Sequence, residues 1–369
     1  MGELRAAAVT AVHVVVPDGI DDPARPSGGN VYDRHLCRGL RSIGWYVDEH
    51  PVPGGWPRPD AAAHAALQSV MQGLPDNAVV LIDGLVASTS PELLVAQAGR
   101  LRLVVLVHMP LGHRPDDDGA DGVRVRERAV LRAAVAVITT SAWSRRRLLE
   151  LYRLPADRVH VAEPAVDAVG PAAAAGAGGP GGPGEALLCV AAVTRVKGHD
   201  VLLEALAAIT DLSWHCVCVG SLDRDPAFVA ELRRRRTGAG LHDRVCFTGP
   251  RTGADLDRSY AGADLLLLPS RIETYGMVVI EALARGLPVV AADVGGVTEA
   301  LGHGTGGIRP GWLIAPEDPA ALGAALRAWL CDATLRARLR QAASERRQSL
   351  PRWSTTTSRI AAVLAGASR

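Results

Sequence analysis

The sequence predicts an α/β protein built from two parallel-sheet domains in tandem, and three observations carry that prediction. The chain has 369 residues, and at roughly 100 to 200 residues per domain this length favours two cores over one. Short β-rich runs alternate with helix-period segments along most of it, the pattern of strands joined by crossover helices. Residues 170–184, GPAAAAGAGGPGGPG, hold only Gly, Pro and Ala, which bury almost no side chain and suit a connector. The expected organisation is therefore a first domain over 1–169, the connector over 170–184 and a second domain over 185–351. A last helix, about 352–369, is expected to return to the first domain.

Each element has its own signal. The β-branched run Val9 to Val16 reads as a strand, and Leu36, Leu40 and Ile43 mark one side of a helix from about Asn30 to Gly44. Strands are expected at Ala78 to Ile82, Leu103 to His108, Ala134 to Thr139 and Arg158 to Val161, with helices starting near Asp60, Pro91, Val123 and Ser141. After the connector the alternation restarts, with strands at Ala186 to Ala192, Trp214 to Val219, Arg244 to Phe247, Asp264 to Leu268 and Pro288 to Ala292. Helices between them span Gly198 to Ile209, Pro226 to Arg236, Asp255 to Ala261 and about Tyr275 to Arg285, with a short one near Val297. Three more follow, at Pro319 to Leu330, Asp332 to Arg347 and after Trp353, where Ile360, Val363 and Leu364 form a stripe. Two such domains bind ligands at the carboxyl ends of their strands, so function is expected between the halves.

Composition removes several classes. Forty basic against thirty-nine acidic residues leave a net charge of +1, so the footprint of a general nucleic-acid binder is missing. The six cysteines show no CxxC spacing and lie in apolar stretches, as small buried hydrophobes in a reduced compartment do. No run approaches the roughly 18 to 20 apolar residues of a membrane span, and the N-terminal run, interrupted by His13, reads as a strand and not as a signal peptide. A cytoplasmic protein is expected. Arg145 to Arg147 and Arg233 to Arg236 read as solvated helix faces, with peripheral membrane contact an unsupported alternative. Trp143, Trp312 and Trp353 read as packing residues.

The candidate chemistry starts from an imbalance: of forty basic residues, one is a lysine, Lys197, in AAVTRVKGHDVLLEAL. In a chain this rich in Arg, a single compact ammonium at a strand-to-helix turn points to a required site. With Arg195 it lies where a helix N-terminus, carrying about half a positive charge, commonly holds phosphate. The most informative stretch is PSRIETYGMVVIEALARGLPVVAADVGGVTEAL, residues 269–301. It puts Glu273 in a loop after a strand, Gly276 at a helix entrance and Glu281 about one turn inside that helix. Carboxylates of this kind accept paired hydrogen bonds from vicinal hydroxyls, while unpartnered helix amides and an ammonium suit a diphosphate. Together these groups describe a nucleotide sugar.

At these residues the chain resembles the retaining nucleotide-sugar glycosyltransferases of family 4, which have the GT-B architecture of two facing Rossmann-like domains. The resemblance rests on the E-x7-E spacing of Glu273 and Glu281, the run GLPVVAADVGG, and Lys197 at the lysine of the family's R-x4-K-G segment. It implies that Glu281 binds the ribose hydroxyls, that Glu273 binds the donor sugar, and that the amides of Thr274, Tyr275, Gly276 and Met277 face the sugar and diphosphate. The family's arginine position falls on Ala192, so Arg195 has to substitute from another spot. In the first domain, Gly28, Gly29 and Asn30 precede a helix and resemble the family's glycine loop, and His108 resembles its pocket histidine. The turn Gly220-Ser221 and the segment FTGP after it are expected near the base or phosphate, with ordinary strand-end turns as the alternative.

The expected reaction moves a sugar from a nucleoside diphosphate to the hydroxyl of a small molecule, lipid or glycan with anomeric configuration kept. His108, Arg195, Lys197 and Glu273 form the catalytic set. Charge growing on the diphosphate is stabilised by Lys197, Arg195 and the helix end at Gly276. No cofactor is expected beyond the nucleotide-sugar co-substrate, and no metal, because Asp116 to Asp118 lie in a Gly-flanked polar loop that reads as solvated. The rivals are a nucleotide-sugar 2-epimerase or phosphorylase on the same architecture, a dinucleotide oxidoreductase that would need a GxGxxG fingerprint, and a silent nucleotide-sugar binding protein. A glycosidase using Glu273 and Glu281 is disfavoured, since one loop and its own helix can hardly straddle a glycosidic bond.

Overall fold

The computed structural model describes residues 10–113, 120–167 and 184–368. The Asp116 to Asp118 loop and nearly all of the Gly/Pro/Ala segment lie outside these residues. The chain forms two compact units. One holds the chain up to Asp21, Ser27–Pro164 and the segment from Arg352 onward; the other holds Asp22–Pro26 and Ala165–Pro351.

The first unit runs β1 (Ala11–Pro17), α1 (Gly28–Ser42), β2 (Tyr46–Val52), α2 (Ala61–Gly73), β3 (Val79–Asp83), α3 (Gly84–Ala87), α4 (Pro91–Gln97), β4 (Arg102–Val107), α5 (Ala120–Ala133), β5 (Ala136–Thr139), α6 (Ala142–Tyr152) and β6 (Val159–Val161). Its six strands are parallel in the order β2-β1-β3-β4-β5-β6. Alternate residues of β3 go to opposite cores: Val80 and Ile82 pack with Leu67 and Met71 of α2, and Val79 and Leu81 pack with Leu36 and Leu40 of α1. A strand buried on both faces has to read as the continuous apolar run VVLI, which is why it was visible in sequence.

The second unit runs β7 (Ala186–Val190), α7 (His199–Ala207), β8 (His215–Val219), α8 (Pro226–Gly238), β9 (Val245–Gly249), α9 (Gly253–Ala261), β10 (Leu265–Leu268), α10 (Met277–Ala284), β11 (Val289–Ala292), α11 (Val297–Leu301), β12 (Gly311–Ile314), α12 (Pro319–Cys331) and α13 (Ala333–Gln348). Its sheet is also parallel, in the order β12-β11-β10-β7-β8-β9. That is the doubly wound arrangement in which the chain starts at the centre, winds out to one edge and then returns to wind to the other. The reversal lies between β7 and β10.

The last helix, α14 (Trp353–Ala367), belongs to the first unit. Its Ile360 and Leu364 are fully buried in the core that α14 shares with α1, β4 and β5, each worth roughly 1.5–3 kcal/mol of apolar burial. Close approach is possible because α1 carries Gly39 at the crossing: a Cβ there would stand 2.1 Å from Thr357 Oγ1. Trp353 stacks on His35 with ring centres 4.3 Å apart.

The structure corrects several expectations. β2 and β12 were not foreseen. β2, YVDEHPV, carries three charged or polar residues and a proline, which an edge strand tolerates and a β-propensity reading rejects; β12 is only four residues long. Gly28, Gly29 and Asn30 do not precede α1 but form its first turn, because the Ser27 hydroxyl caps the helix by accepting from the Asn30 N–H at 3.1 Å. Four cysteines are buried, but Cys246 on the edge strand β9 and Cys331 at the end of α12 are exposed. The arginine runs are only partly solvated: Arg145 donates to the Val159 and Ala156 carbonyls and Arg236 to that of Val245.

Candidate functional site

The strand orders determine where ligand-facing loops can gather. In the second unit, the loops after β7 and β10 diverge from the reversal point, leaving a crevice at the carboxyl ends of those two strands. Lys197 comes from the first loop and Glu273 from the second.

These loops are held together by backbone packing and an arginine. After β7 the chain makes a 3-10 turn, Arg195–Lys197, ending at Gly198 with φ +68°. A Cβ on Gly198 would lie 2.0 Å from the Pro269 carbonyl oxygen, so only glycine lets the two loops meet. Arg271 then bridges them, with two 2.9 Å bonds to the Asp200 carboxylate at the start of α7, a bond to the Arg195 carbonyl and a 2.8 Å bond to Glu317. The paired bond to Asp200 holds the Arg271 guanidinium above its usual pKa. In this frame the Lys197 ammonium sits 2.5 Å from Glu273 Oε1, which also accepts from the Ser270 hydroxyl at 3.0 Å. From the β11 side, Gly295 (φ +58°) presses on the same loop, since a Cβ there would be 1.5 Å from the Glu273 carbonyl oxygen.

Beyond Glu273 the chain enters α10 through Gly276, whose φ of +88° and lack of a side-chain cap leave the first amides of the helix without a side-chain acceptor. Such amides favour an anion. Tyr275 is turned into the core, and burial pushes its hydroxyl up to about 12. At this position only backbone is offered outward, flanked by the half-buried Thr274 and Met277. Glu281 lies one turn inside α10, where burial pushes its pKa up and a hydrogen bond from Tyr260 opposes that. Its Oε2 accepts from the Tyr260 hydroxyl at 2.6 Å. Arg285 lies over the Tyr260 ring at 4.5 Å, donates to the Glu281 carbonyl and pairs with Asp257.

Other expected residues are placed less directly. Gly220 and Ser221 end β8 against the β7 loop; a Cβ on Gly220 would be 1.9 Å from the Ala191 carbonyl oxygen, and the Val193 N–H donates to the Ser221 carbonyl at 2.9 Å. Arg195 does not join Lys197 and Glu273. Its guanidinium pairs with Glu231 at 2.7 Å and lies 4.8 Å from the centre of the Phe228 ring, both on α8.

In the first unit the sheet reverses between β1 and β3, and the residues around that point form a second, separate set. His108 follows β4, with its ring over the first turn of α1, where a Cβ on Gly29 would touch Cδ2 at 3.3 Å. Its Nε2 is 2.9 Å from Asp33 Oδ1 on α1 and 3.6 Å from Asp83 Oδ2 at the end of β3. Burial alone would lower the His108 pKa, but the two carboxylates outweigh it and raise it to about 9. Burial, reinforced by Asp33, raises Asp83 to about 6. The three ligand-type atoms lie close enough to share a metal ion; in this structure Nε2 of the imidazole faces both carboxylates. Asp33, Asp83, Tyr260 and Arg271 escaped the sequence reading. An aspartate closing the buried run VVLID was the one available signal.

Residues 179–346, essentially the whole second unit, match the family model of glycosyl transferases group 1. That unit belongs to this family. D-inositol 3-phosphate glycosyltransferase 1 of Catenulispora acidiphila is 32% identical over 252 residues, 64% of this chain and 58% of the relative. The corresponding enzyme of Salinispora arenicola is 33% identical over 272 residues, 68% and 58% of the two chains. The chain thus spans less than two thirds of the length of these relatives. Among solved structures, sucrose-phosphate synthase from Thermosynechococcus elongatus superposes with a TM-score of 0.77 at 23% identity, covering 97% of this chain and 98% of the other. Anabaena HepE in complex with UDP and glucose gives 0.74 at 20%, covering 96% and 99%. These likenesses establish the two-domain GT-B fold of the glycosyltransferases. No helix among the described residues is long and apolar enough to cross a membrane.

Proposed function

We propose that the protein is a retaining glycosyltransferase that takes a sugar from a nucleoside diphosphate and passes it to an acceptor hydroxyl. The observation that carries this reading is the meeting of Lys197 and Glu273 beside the uncapped entrance of α10, within a unit of the group 1 glycosyl transferase family. One ammonium, one carboxylate and a row of free amides are the complement of a diphosphate joined to a polyol.

Lys197 and Glu273 satisfy each other. A donor would divide the pair, the ammonium turning to phosphate oxygens and the carboxylate to sugar hydroxyls. Cleavage of the anomeric bond places new charge on the diphosphate, which Lys197 and the α10 amides stabilise without reorganisation. Arg195 assists only by leaving Glu231. Glu281 keeps Oε1 for a ribose hydroxyl while Tyr260 holds Oε2. His108, held through Nε2 by Asp33, has Nδ1–H left, and its proposed role is to donate that proton to the sugar or acceptor. The acceptor proton passes to the departing phosphate on the same face, so the configuration is kept without a protein nucleophile. All the positive charge this step requires comes from the protein, and no metal is assigned to it. The expected site of action is the cytoplasm.

HepE is described with UDP and glucose and the relatives are named for inositol 3-phosphate, so UDP-glucose and inositol 3-phosphate are the first pair to try. The test is UDP release and product formation by wild type, Lys197→Ala and Glu273→Gln. Lys197→Ala should lose about 100-fold or more in kcat, the usual cost of one transition-state donor, and Glu273→Gln should turn over more slowly than wild type because an amide accepts from the sugar hydroxyls more weakly than a carboxylate. Turnover of donor to an epimer without acceptor, donor binding without transfer across a donor and acceptor panel, or undiminished variants would each overturn the reading.

A further inference from the structure

His13, Asp48 and His50 form a second cluster in the first unit, apart from the residues used above. His13 lies on β1 and is paired in register with Asp48 on the edge strand β2; Val15 is paired with His50. Asp48 and His50 are two residues apart on a strand, so both project on the same face, toward His13. His13 Nδ1, His50 Nε2 and Asp48 Oδ2 stand at the corners of a triangle with all three edges 3.1 Å. Their side chains are 16%, 22% and 39% exposed, within reach of a solvent ion yet held by the sheet.

Protons cannot complete this triangle. The carboxylate brings none and each ring nitrogen at most one, so two N–H groups can reach Asp48 but leave the contact between the nitrogens unmade. Among the described residues no arginine or lysine pairs with Asp48; its partners are the two imidazoles. The adjacent Glu49, on the opposite face, takes Arg34 and Arg41 instead.

We propose that these three side chains bind a divalent transition-metal ion of the zinc type, tying the edge strand β2 to β1. An ion at the usual 2.0–2.1 Å from each atom would sit about 1 Å above the triangle, with angles near about 100° between ligands. That lies between tetrahedral and octahedral geometry. Two imidazoles and a carboxylate form a mixed N/O set suited to Zn2+, and to Co2+ or Ni2+ in its place. The remaining coordination positions go to water. The site stands independently of the glycosyl-transfer reading.

The test uses the full chain after chelator treatment and dialysis. Co2+ titration followed by visible absorption, and Zn2+ titration by calorimetry, should show one equivalent bound, with Zn2+ displacing Co2+. Zn2+ should raise the melting temperature of wild type. Asp48→Asn is nearly isosteric at a partly exposed position and keeps the fold testable; it should weaken Zn2+ binding at least about tenfold and abolish the thermal shift, as should His50→Gln. A wild type without a cobalt band, or an Asp48→Asn protein that binds as tightly as wild type, would overturn the proposal. So would binding that disappears only when the exposed Cys246 and Cys331 are changed to serine.

Discussion

The ion pair at His108 makes the sharpest prediction, because one isosteric change should alter a titration and a stability curve together. In Asp33→Asn the 2.9 Å contact to Nε2 keeps its shape but loses its charge. Burial then still lowers the His108 pKa, and Asp83, 0.7 Å farther from Nε2 than Asp33, is the carboxylate left to raise it. Wild-type His108 should titrate near 9, and the variant at least about one unit lower. The folded pKa stands above the ordinary histidine value of about 6.5. The stability it contributes is therefore complete below pH 6.5 and lost as pH climbs through 9. A rise of about 2.5 units corresponds to roughly 3 kcal/mol as an upper bound. The assay is imidazole NMR, with the His108 signal assigned by its loss in His108→Gln, alongside denaturant unfolding between pH 6.5 and 9.5. Wild type should lose stability across that window and Asp33→Asn should lose less. A His108 that titrates near 6.5 in wild type, or a pKa indifferent to Asp33→Asn, would refute the charge assignment.

Three further outcomes follow from contacts described above. Gly295→Ala puts a methyl group 1.5 Å from the Glu273 carbonyl at a left-handed φ, so it should cost about 1–3 kcal/mol of stability by chemical denaturation and reduce turnover by displacing Glu273. Tyr260→Phe removes the 2.6 Å bond that opposes the raised pKa of Glu281. A donor that needs the carboxylate ionised binds better as pH rises through that pKa, and calorimetry should find the midpoint moved to higher pH in the variant. Gly39→Ala drives a methyl into Thr357 and should destabilise the protein by about 1–3 kcal/mol through overpacking, with the double variant Gly39→Ala/Thr357→Ala recovering most of the melting temperature.

The fold was legible where burial leaves a one-dimensional trace. Strands covered on both faces, such as β3, β4 and β10, must be continuous apolar runs, and the helices announce themselves by cap residues such as Asp60, Ser141 and Asp332. β2 left no such trace, because an edge strand can carry Asp48, Glu49 and His50; with it the His13 cluster stayed invisible, since its members meet only when β2 pairs with β1. The candidate site shows the same division. Lys197 and Glu273 were each conspicuous, one as the single lysine and the other by its spacing to Glu281. Their contact spans 76 residues and depends on the strand order β10-β7, which alternation alone does not specify. Arg195 was expected with them on proximity in sequence, but a 3-10 turn sends adjacent side chains in different directions and Glu231 captures this one.

The return of α14 to the first unit bears on the order in which the chain can mature on the ribosome. Tyr32, Leu36 and Leu40 emerge early, whereas Ile360 and Leu364, which share their core, follow Pro164 by roughly 200 residues. At about 5–20 residues per second of elongation this is a delay of about 10–40 s. Throughout it the second unit can finish folding while the older half waits with a bare apolar stripe. Nascent-chain stalling at position 350 should therefore yield a half-made first unit that chaperones of the trigger type recognise, and release of the last turns should end that dependence.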